Sequence, residues 1–238
     1  MAEIIYGIRP VVEALKSRRR RVIEILDSTG SREVSAAAGG VAVKKVSRDR
    51  VDELARGGVH QGLVARVEAY PYSGLEEIVA VPEPLVLVLD GVTDPRNLGA
   101  VLRAADGAGA SGVVIPKDKA VGVTAAAVKA SAGASEHVRV ARVTNLRRAV
   151  DALKAANVWV YAAEADGTDH AKMDLAGPVA FVFGSEGRGV RRLVREACDG
   201  SVSVPMLGAV SSLNVSVAAA VLAYEARRQR GVAVCPRT

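Results

Sequence analysis

Three stretches of the 238-residue chain place polar side chains just after predicted strands, where they could handle a phosphate or a ribose. In the first, Asn97 and Arg103 follow an apolar strand predicted over residues 85–89. Ligands of α/β proteins bind beyond the carboxyl ends of strands, so an amide and a guanidinium there could hold a phosphate or ribose. The alternative is structural, because Asn97 has the residue type of a helix N-cap and Arg103 falls off the apolar stripe of its helix.

The second stretch is a glycine-rich turn between a strand predicted over residues 179–183 and a helix predicted over residues 190–197. Gly184, Gly187 and Gly189 leave backbone N–H groups open to a ligand, and Glu186 would be a carboxylate held in a tight turn. A plain strand-to-helix connection is the alternative interpretation.

The third stretch crowds polar residues at the start of a final helix predicted over residues 212–229. Four of them, Ser211, Ser212, Asn214 and Ser216, precede an almost wholly apolar run. Helix capping explains the presence of one or two of these four residues. It does not explain Asn214 and Ser216 inside the first turns, since such side chains compete with helical hydrogen bonds.

A GxGxxG pattern at Gly107, Gly109 and Gly112 matches the dinucleotide fingerprint in spacing only. The fingerprint needs a strand before it and a helix after it, so that the pyrophosphate meets a helix N-terminus. Here a predicted helix precedes the glycines and a predicted strand follows them. The glycines are therefore predicted to end a helix and form a turn, which argues against a nicotinamide dehydrogenase.

The predicted elements that position these residues fall into two domains. Residues 1–70 read as a small α/β domain, with strands at 22–26, 41–46 and 63–70, a short helix at 10–16 and a helix from a Ser47 cap to Arg56. Residues 71–84 contain prolines and a glycine and are predicted to be a linker. Residues 85–238 alternate apolar strands with helices, which predicts a mostly parallel sheet covered on both faces.

The charge balance suits a polyanionic partner. The chain has 32 Lys and Arg against 26 Asp and Glu, a formal charge of +6, and the first 70 residues carry 13 against 9, or +4. That region includes the run from Arg18 to Arg21, for which a solvated loop and a phosphate contact are equally good interpretations. Only eight residues are aromatic, so any nucleic-acid contact is expected to rest on Arg and Lys.

Other chemistries have little support. Cys198 and Cys235 lie 37 residues apart outside any Cys/His cluster, so neither a metal site nor a disulfide scaffold is predicted. His60, His137 and His170 lie outside the three stretches and are predicted to be structural. The N-terminus lacks the pattern of a signal peptide, and no apolar run approaches the roughly 20 residues of a membrane span. A cytoplasmic protein without membrane contact is expected.

Taken together, the three stretches resemble the motifs of the SpoU or TrmH family of the SPOUT superfamily, which are S-adenosylmethionine-dependent RNA ribose 2′-O-methyltransferases. The resembling segments are residues 97–103, 183–187 and 205–216. More weakly, residues 6–15 and 60–62 are similar to the RNA-binding N-terminal domain of the branch that modifies a guanosine in large-subunit ribosomal RNA.

The resemblance implies a C-terminal trefoil knot and a homodimer that completes each active site across its interface. It implies that S-adenosylmethionine binds against Gly184, Val204 and Leu213, with Met206 nearby. The catalytic group that it implies is Asn97, Arg103, Glu186, Ser212 and Asn214. Family proposals make the arginine a proton acceptor. A guanidinium keeps its proton near neutral pH, so we favour Arg103 as the group that grips the adjacent phosphate.

The leading hypothesis is therefore 2′-O-methylation of a ribose, in a guanosine, in large-subunit ribosomal RNA. One alternative is a transfer RNA ribose methyltransferase. The other is a non-catalytic ribosomal RNA-binding assembly factor on the same fold. The complete set of Asn97, Arg103, Glu186 and Asn214 favours the enzyme, because a binding module would not need it.

Overall fold

The computed structural model describes residues 2–185 and 187–231. Two compact units emerge from its internal contacts, and neither is continuous along the chain. The first comprises residues 2–72, 94–103 and 121–138, and the second comprises residues 73–93, 104–120 and the described residues from 139 onward.

The described residues form ten strands and nine helices. The strands are β1 Ala2–Tyr6, β2 Val22–Asp27, β3 Val43–Lys45, β4 Leu63–Glu68, β5 Leu85–Asp90, β6 Gly112–Pro116, β7 Val140–Val143, β8 Trp159–Asp169, β9 Val179–Gly184 and β10 Gly200–Ser203. The helices are α1 Ile8–Ser17, α2 Arg32–Ala37, α3 Arg48–Ala55, α4 Leu75–Val79, α5 Pro95–Ala108, α6 Ala125–Ala130, α7 Leu146–Ala155, α8 Arg192–Arg195 and α9 Val215–Gln229.

The first unit contains a four-stranded sheet in the order β1-β4-β2-β3. Strands β1 and β2 run antiparallel to β4, and β3 runs parallel to β2. Sequence analysis did not predict β1. Its five residues show no strong alternation of their own, and they become a strand because β4 offers them a complete ladder from Val64 to Glu68.

The second unit contains a six-stranded sheet in the order β10-β8-β9-β5-β6-β7, in which every neighbouring pair is parallel. Its central strand β5 is buried along its whole length. On one face Val86 and Val88 pack with Val150 and Leu153 of α7, and α9 contacts β5 and β9. The predicted α/β class with a mostly parallel sheet is confirmed.

The predicted start of α5 is wrong. The helix begins at Pro95, and the Asp94 carboxylate accepts a hydrogen bond from the Arg96 N–H at 2.8 Å. Asn97 is therefore the third helical residue and not the N-cap. Asp94-Pro95 is the better start signal, because proline is favoured at the first helical position after a capping residue.

The predicted start of α9 is also wrong. The helix begins at Val215, and Asn214 is its N-cap. The Asn214 side-chain oxygen accepts hydrogen bonds from the Ser216 N–H at 2.9 Å and from the Ser216 hydroxyl at 2.6 Å. Capping thus accounts for both residues, contrary to the sequence argument that it could not.

The two glycine patterns behave differently. Helix α5 ends at Ala108, Gly109 has a φ of +63°, and β6 starts at Gly112, which confirms a helix stop and a turn. After the later glycine turn, the structure forms only the four-residue α8 in place of the helix predicted over residues 190–197.

Candidate active site

A cavity of about 130 Å³ lies in the second unit, beside β8, β10 and the start of α9. It brings together three of the four predicted cofactor residues, Val204, Met206 and Leu213, with the predicted catalytic residue Ser212. The other lining residues are Ala163, Glu164, Ala165, Val202, Ser211, Ala218 and Leu222.

The segment between β10 and α9 supplies most of this lining. Strand β10 ends at Ser203, and Pro205 follows, which lacks the N–H that a further sheet bond would need. The chain then crosses an open loop until the Asn214 cap starts α9. Leu207 and Val210 in that loop are 100% and 69% exposed, so apolar side chains face outward beside the cavity.

Sequence analysis missed Glu164 as a cavity residue. Strand β8 continues past Ala163 to Asp169 and carries Glu164 along the cavity wall. The Glu164 carboxylate lies 3.5 Å from the guanidinium of Arg195. The sequence does contain an indication of this role. Glu164 is a carboxylate directly after an apolar run, which is the position at which α/β proteins bind ligands.

Gly184 ends β9, where it pairs in register with Asp90 of β5. The turn that follows folds back, because the Gly189 N–H donates to the Ser185 carbonyl at 3.0 Å. A Cβ atom on residue 184 would stand 1.9 Å from the carbonyl carbon of Gly189. Only glycine fits this close approach of two backbones. Gly184 does not line the cavity, and the predicted catalytic Glu186 lies outside the described residues.

Asp90 is a further polar residue at this edge that sequence analysis did not assign. Its side chain is fully buried and accepts hydrogen bonds from the backbone N–H of Arg191 at 2.8 Å and from its Nε at 2.6 Å. A charge-assisted pair of this kind restrains the segment that leaves the glycine turn. Asp90 therefore ties the end of β5 to the chain after β9.

Of the three remaining predicted catalytic residues, Asn214 caps α9 and does not line the cavity. Asn97 and Arg103 lie on α5 in the part that belongs to the first unit. Asn97 is half-buried and Arg103 is exposed. The exposed guanidinium of Arg103 is accessible to a phosphate.

The arginine run divides into two kinds of residue. Arg20 is 1% exposed and pairs with Glu136, which is fully buried, through Nε at 3.0 Å and through Nη2. Arg19 donates to the carbonyl oxygens of Val138 and Pro71. Arg18 and Arg21 are exposed. Neither interpretation holds for the whole run, since two of its arginines join segments within the first unit.

Cys198, His60 and His137 have structural surroundings, whereas Cys235 lies outside the described residues. Burial, with Asp199 nearby, raises the pKa of the Cys198 thiol to about 12, so no thiolate forms near neutrality. His60 Nδ1 accepts the Gly62 N–H at 2.9 Å and Nε2 lies 2.6 Å from the Asp52 carboxylate. His137 lies 2.8 Å from Glu13.

Within residues 2–185 and 187–231, His, Cys, Asp and Glu side chains form no group of three or more that could hold a metal ion. No helix in the same residues is long and apolar enough to cross a membrane.

Comparison with known proteins covers almost the entire chain. Residues 84–224 match the model of the SpoU rRNA Methylase family, and residues 4–73 match the model described as RNA 2′-O ribose methyltransferase substrate binding. Two relatives are proteins called 23S rRNA (guanosine-2′-O-)-methyltransferase RlmB. The one from Yersinia pestis is 44% identical over 98% of this chain and 99% of its own length. The one from Escherichia coli K12 is 42% identical over 97% of this chain and 100% of its own length.

Solved structures agree. The SpoU methyltransferase AviRb from Streptomyces viridochromogenes, crystallised with AdoMet, superposes with a TM-score of 0.83 at 27% identity, over 95% of this chain and 89% of that one. A structure described as an RNA 2′-O ribose methyltransferase superposes with a TM-score of 0.80 at 31% identity. The superposition covers 97% of this chain and 90% of that one. The family model spans the strands and loops that build the cavity and the glycine turn, and the chain belongs to the SpoU rRNA methylase family.

Proposed function

We propose that this protein transfers a methyl group from S-adenosylmethionine to the ribose 2′-hydroxyl of a guanosine in 23S ribosomal RNA. The observation that carries the proposal is the cavity lined by Val204, Met206, Ser212 and Leu213, in a chain whose whole length is similar to ribosomal RNA guanosine methyltransferases.

The lining of the cavity suits a part of the methyl donor, since its volume of about 130 Å³ is smaller than a site for a whole molecule of that size. Its walls are mainly apolar, with Val202, Leu213 and Leu222 available to pack against a purine ring. The Glu164 carboxylate and the Ser211 and Ser212 hydroxyls add polar contacts for a ribose or an amino-acid group. When bound, S-adenosylmethionine supplies a methyl group already activated on a sulfonium.

Because the methyl group is already activated, the chain's own residues have to align the ribose hydroxyl and remove its proton. Arg103 grips the phosphate next to the target ribose, and Asn97 supports it from the same helix. Ser212, Asn214 and Glu186 complete the catalytic group, with Gly184 as a backbone contact of the donor.

We assign RNA binding to residues 1–70, joined by a linker at 71–84 to a methyltransferase domain at 85–238. Within the four-stranded sheet, the ends of β1, β2 and β3 and the start of β4 lie at one edge, since Tyr6 pairs with Val64 and Asp27 with both Lys45 and Leu63. Exposed cations follow there, namely Arg32, Lys45 and Arg48.

The loop after β2 at this edge is preorganised by a buried carboxylate. Asp27 accepts four hydrogen bonds, from the N–H and hydroxyl of Thr29 and from the N–H groups of Gly30 and Ser31, at 2.7–3.1 Å. Burial raises its pKa, but these bonds outweigh that effect and hold the pKa of Asp27 below its ordinary value. A loop fixed in this way, flanked by cations, suits an RNA backbone.

The RNA-binding edge can be tested against the arginine run. Replacing Arg32, Lys45 and Arg48 together by alanine should weaken RNA binding. The slope of the logarithm of the binding constant against the logarithm of the salt concentration should become shallower by about 2–3. The matched control is Arg18→Ala with Arg21→Ala, which removes two exposed cations elsewhere. A larger effect from the control pair would move the RNA site to the arginine run.

We further propose a cytoplasmic homodimer whose methyltransferase domain contains a trefoil knot. In the second unit, Leu207, Val210, Val217 and Tyr224 are exposed by 46–100%, and they lie on the segment from the cavity loop into α9. A second copy would cover apolar side chains of this kind. Sedimentation analysis of the wild-type protein and of a Val217→Glu variant tests the proposed homodimer. A monomeric wild-type protein would contradict the proposal.

The decisive experiment is incubation with labelled S-adenosylmethionine and unmodified ribosomal RNA, followed by mapping of the 2′-O-methyl position. Label at one guanosine ribose of 23S RNA is the expected result. Label only in transfer RNA would support the transfer RNA alternative. Donor binding undetectable by calorimetry would leave only the non-catalytic assembly factor.

A further inference from the structure

The only tryptophan of the chain is at the surface. Trp159 begins β8 and is 60% exposed, whereas both phenylalanines of the chain are buried in β9. Tyr161 lies two residues further along β8, on the same face of the strand. The two rings are inclined by only 6°, with centroids 6.5 Å apart, which is an offset-stacked pair. A chain with eight aromatic residues thus places two of them together where a ligand can reach them.

These rings line a cavity of about 440 Å³ within the second unit. Met173 and Pro178 add apolar surface, and Asn157 and Asp174 contribute an amide and a carboxylate. The volume lies in the range of sites for small organic molecules, roughly 300–1,000 Å³. The site therefore combines flat stacking surface with a few polar groups that can read the edge of a ligand.

We propose that this cavity binds an unpaired nucleobase of the RNA substrate, stacked on Trp159 and Tyr161. The inference rests on the proposed function, since it assigns a second contact for the same RNA. Asn157 offers both donors and an acceptor, and Asp174 offers acceptors. A nucleobase edge presents donors and acceptors together and can use both side chains. An arginine of a protein partner presents donors only and would leave the amide donors of Asn157 unused.

The Tyr161 hydroxyl adds a hydrogen-bond donor to the site. Burial, with the carboxylates of Asp199 and Asp174 nearby, raises the pKa of Tyr161. The sequence-based expectation that RNA contacts rest on Arg and Lys alone does not include such a stacking site.

The nucleobase site is separate from the donor cavity. The two cavities share no lining residue, and on strand β8 the four residues from Trp159 to Ala163, where the donor cavity begins, span about 13 Å. We therefore assign the base stacked on Trp159 to a nucleotide other than the methylated one. It holds the RNA at a second point and contributes to binding, not to the chemical step.

Because Trp159 is the only tryptophan, emission excited selectively from tryptophan, and not from the five tyrosines, reports on this site alone. The full-length protein is titrated with a short single-stranded RNA, with the same oligonucleotide made abasic, and with an oligo-arginine peptide. We expect quenching by the RNA and none by the other two. Quenching by the peptide alone would identify a basic protein as the ligand, and emission that depends on protein concentration alone would identify a second copy. Either result would overturn the proposal.

Variants test the contribution to catalysis. Trp159→Ala should raise the KM for RNA about 10-fold and leave kcat within about twofold, and Trp159→Phe should recover most of the affinity. The matched control is Leu193→Ala, which removes an apolar side chain of 52% exposure on α8 and should change neither constant. A KM unchanged by Trp159→Ala, in an enzyme that still transfers methyl groups, refutes the stacking site only. Absence of transfer in the wild type would instead refute the proposed function.

Discussion

The two compact units use different interactions in their interiors. The first buries an ion pair between Arg20 and Glu136, whose side chains are 1% and 0% exposed, and a capped carboxylate at Asp27. The second is built on parallel strands such as β5 and β6 that are buried and mostly apolar along their whole length. Its buried carboxylate, Asp90, pairs with an exposed partner, Arg191, so no ion pair with both members buried stands among the described residues of that unit. Polar pairs are directional, so they specify which segments meet. Apolar packing depends mainly on volume, so it tolerates exchange between side chains of similar size.

The largest expected effect tests this contrast with near-isosteric substitutions. Glu136→Gln removes the fully buried carboxylate partner of Arg20 and leaves that guanidinium only the half-exposed Glu3 carboxylate at 3.1 Å. It should lower the free energy of unfolding by up to about 3–5 kcal/mol. Leu153→Met, at a fully buried position in the second unit, should cost less than about 1.5 kcal/mol. Urea unfolding of both variants measures the difference. Equal losses would show that the two interiors do not differ in this way.

The next effect concerns Arg103, which lies in the first unit and faces solvent. Arg103→Ala should lower kcat for methyl transfer about 100- to 1,000-fold, comparable with the loss of a preorganised charge contact in other active sites. Arg103→Lys should keep part of the activity with an unchanged pH–rate profile. A profile that moves with the substitution would show that this group accepts the proton.

A third prediction concerns the backbone contact that distinguishes the second unit. Gly184→Ala places a methyl group 1.9 Å from the Gly189 carbonyl carbon, so the turn must shift, and donor affinity should fall at least about 10-fold. Gly208→Ala is the control, because a Cβ atom there meets nothing within 4 Å. Calorimetry with S-adenosylmethionine measures both. Equal affinities would mean that the turn does not contact the donor.

The smallest expected effect separates capping from catalysis at Asn214. Asn214→Ala should reduce stability by about 0.5–2 kcal/mol, through loss of the cap of α9. Asn214→Ser keeps a capping side chain, so stability should be nearly unchanged. If the amide also holds the substrate, Asn214→Ser loses activity. Wild-type activity in this variant would reduce Asn214 to a structural cap.

Much of the fold could be predicted from local patterns. The predicted family is confirmed, and most strand positions agree within a few residues, because apolar runs between turn residues specify buried strands. The predicted starts of α5 and α9 were wrong because two residues a few positions apart can each have the residue type of a cap, as Asp94 and Asn97 illustrate. Strand β1 was missed because it depends on pairing with β4, which lies more than 55 residues away.

The candidate site was predicted unevenly for the same reason. Val204, Met206, Ser212 and Leu213 lie close together in sequence, and the structure places them in one cavity. Glu164 comes to that cavity from β8, and no local pattern indicates which loop it will meet. The roles of all nine predicted site residues in catalysis and donor binding stay predictions.

By itself, the sequence determined the α/β class, the parallel sheet, the family and the concentration of positive charge in the first 70 residues. Each of these depends on composition or on spacing between neighbours. Tertiary structure alone decided that Arg20 pairs with Glu136, 116 residues later, and that Trp159 lies exposed beside Tyr161. Whether a charge or an aromatic ring is buried depends on which distant segment covers it, and that contact is made only when the chain folds.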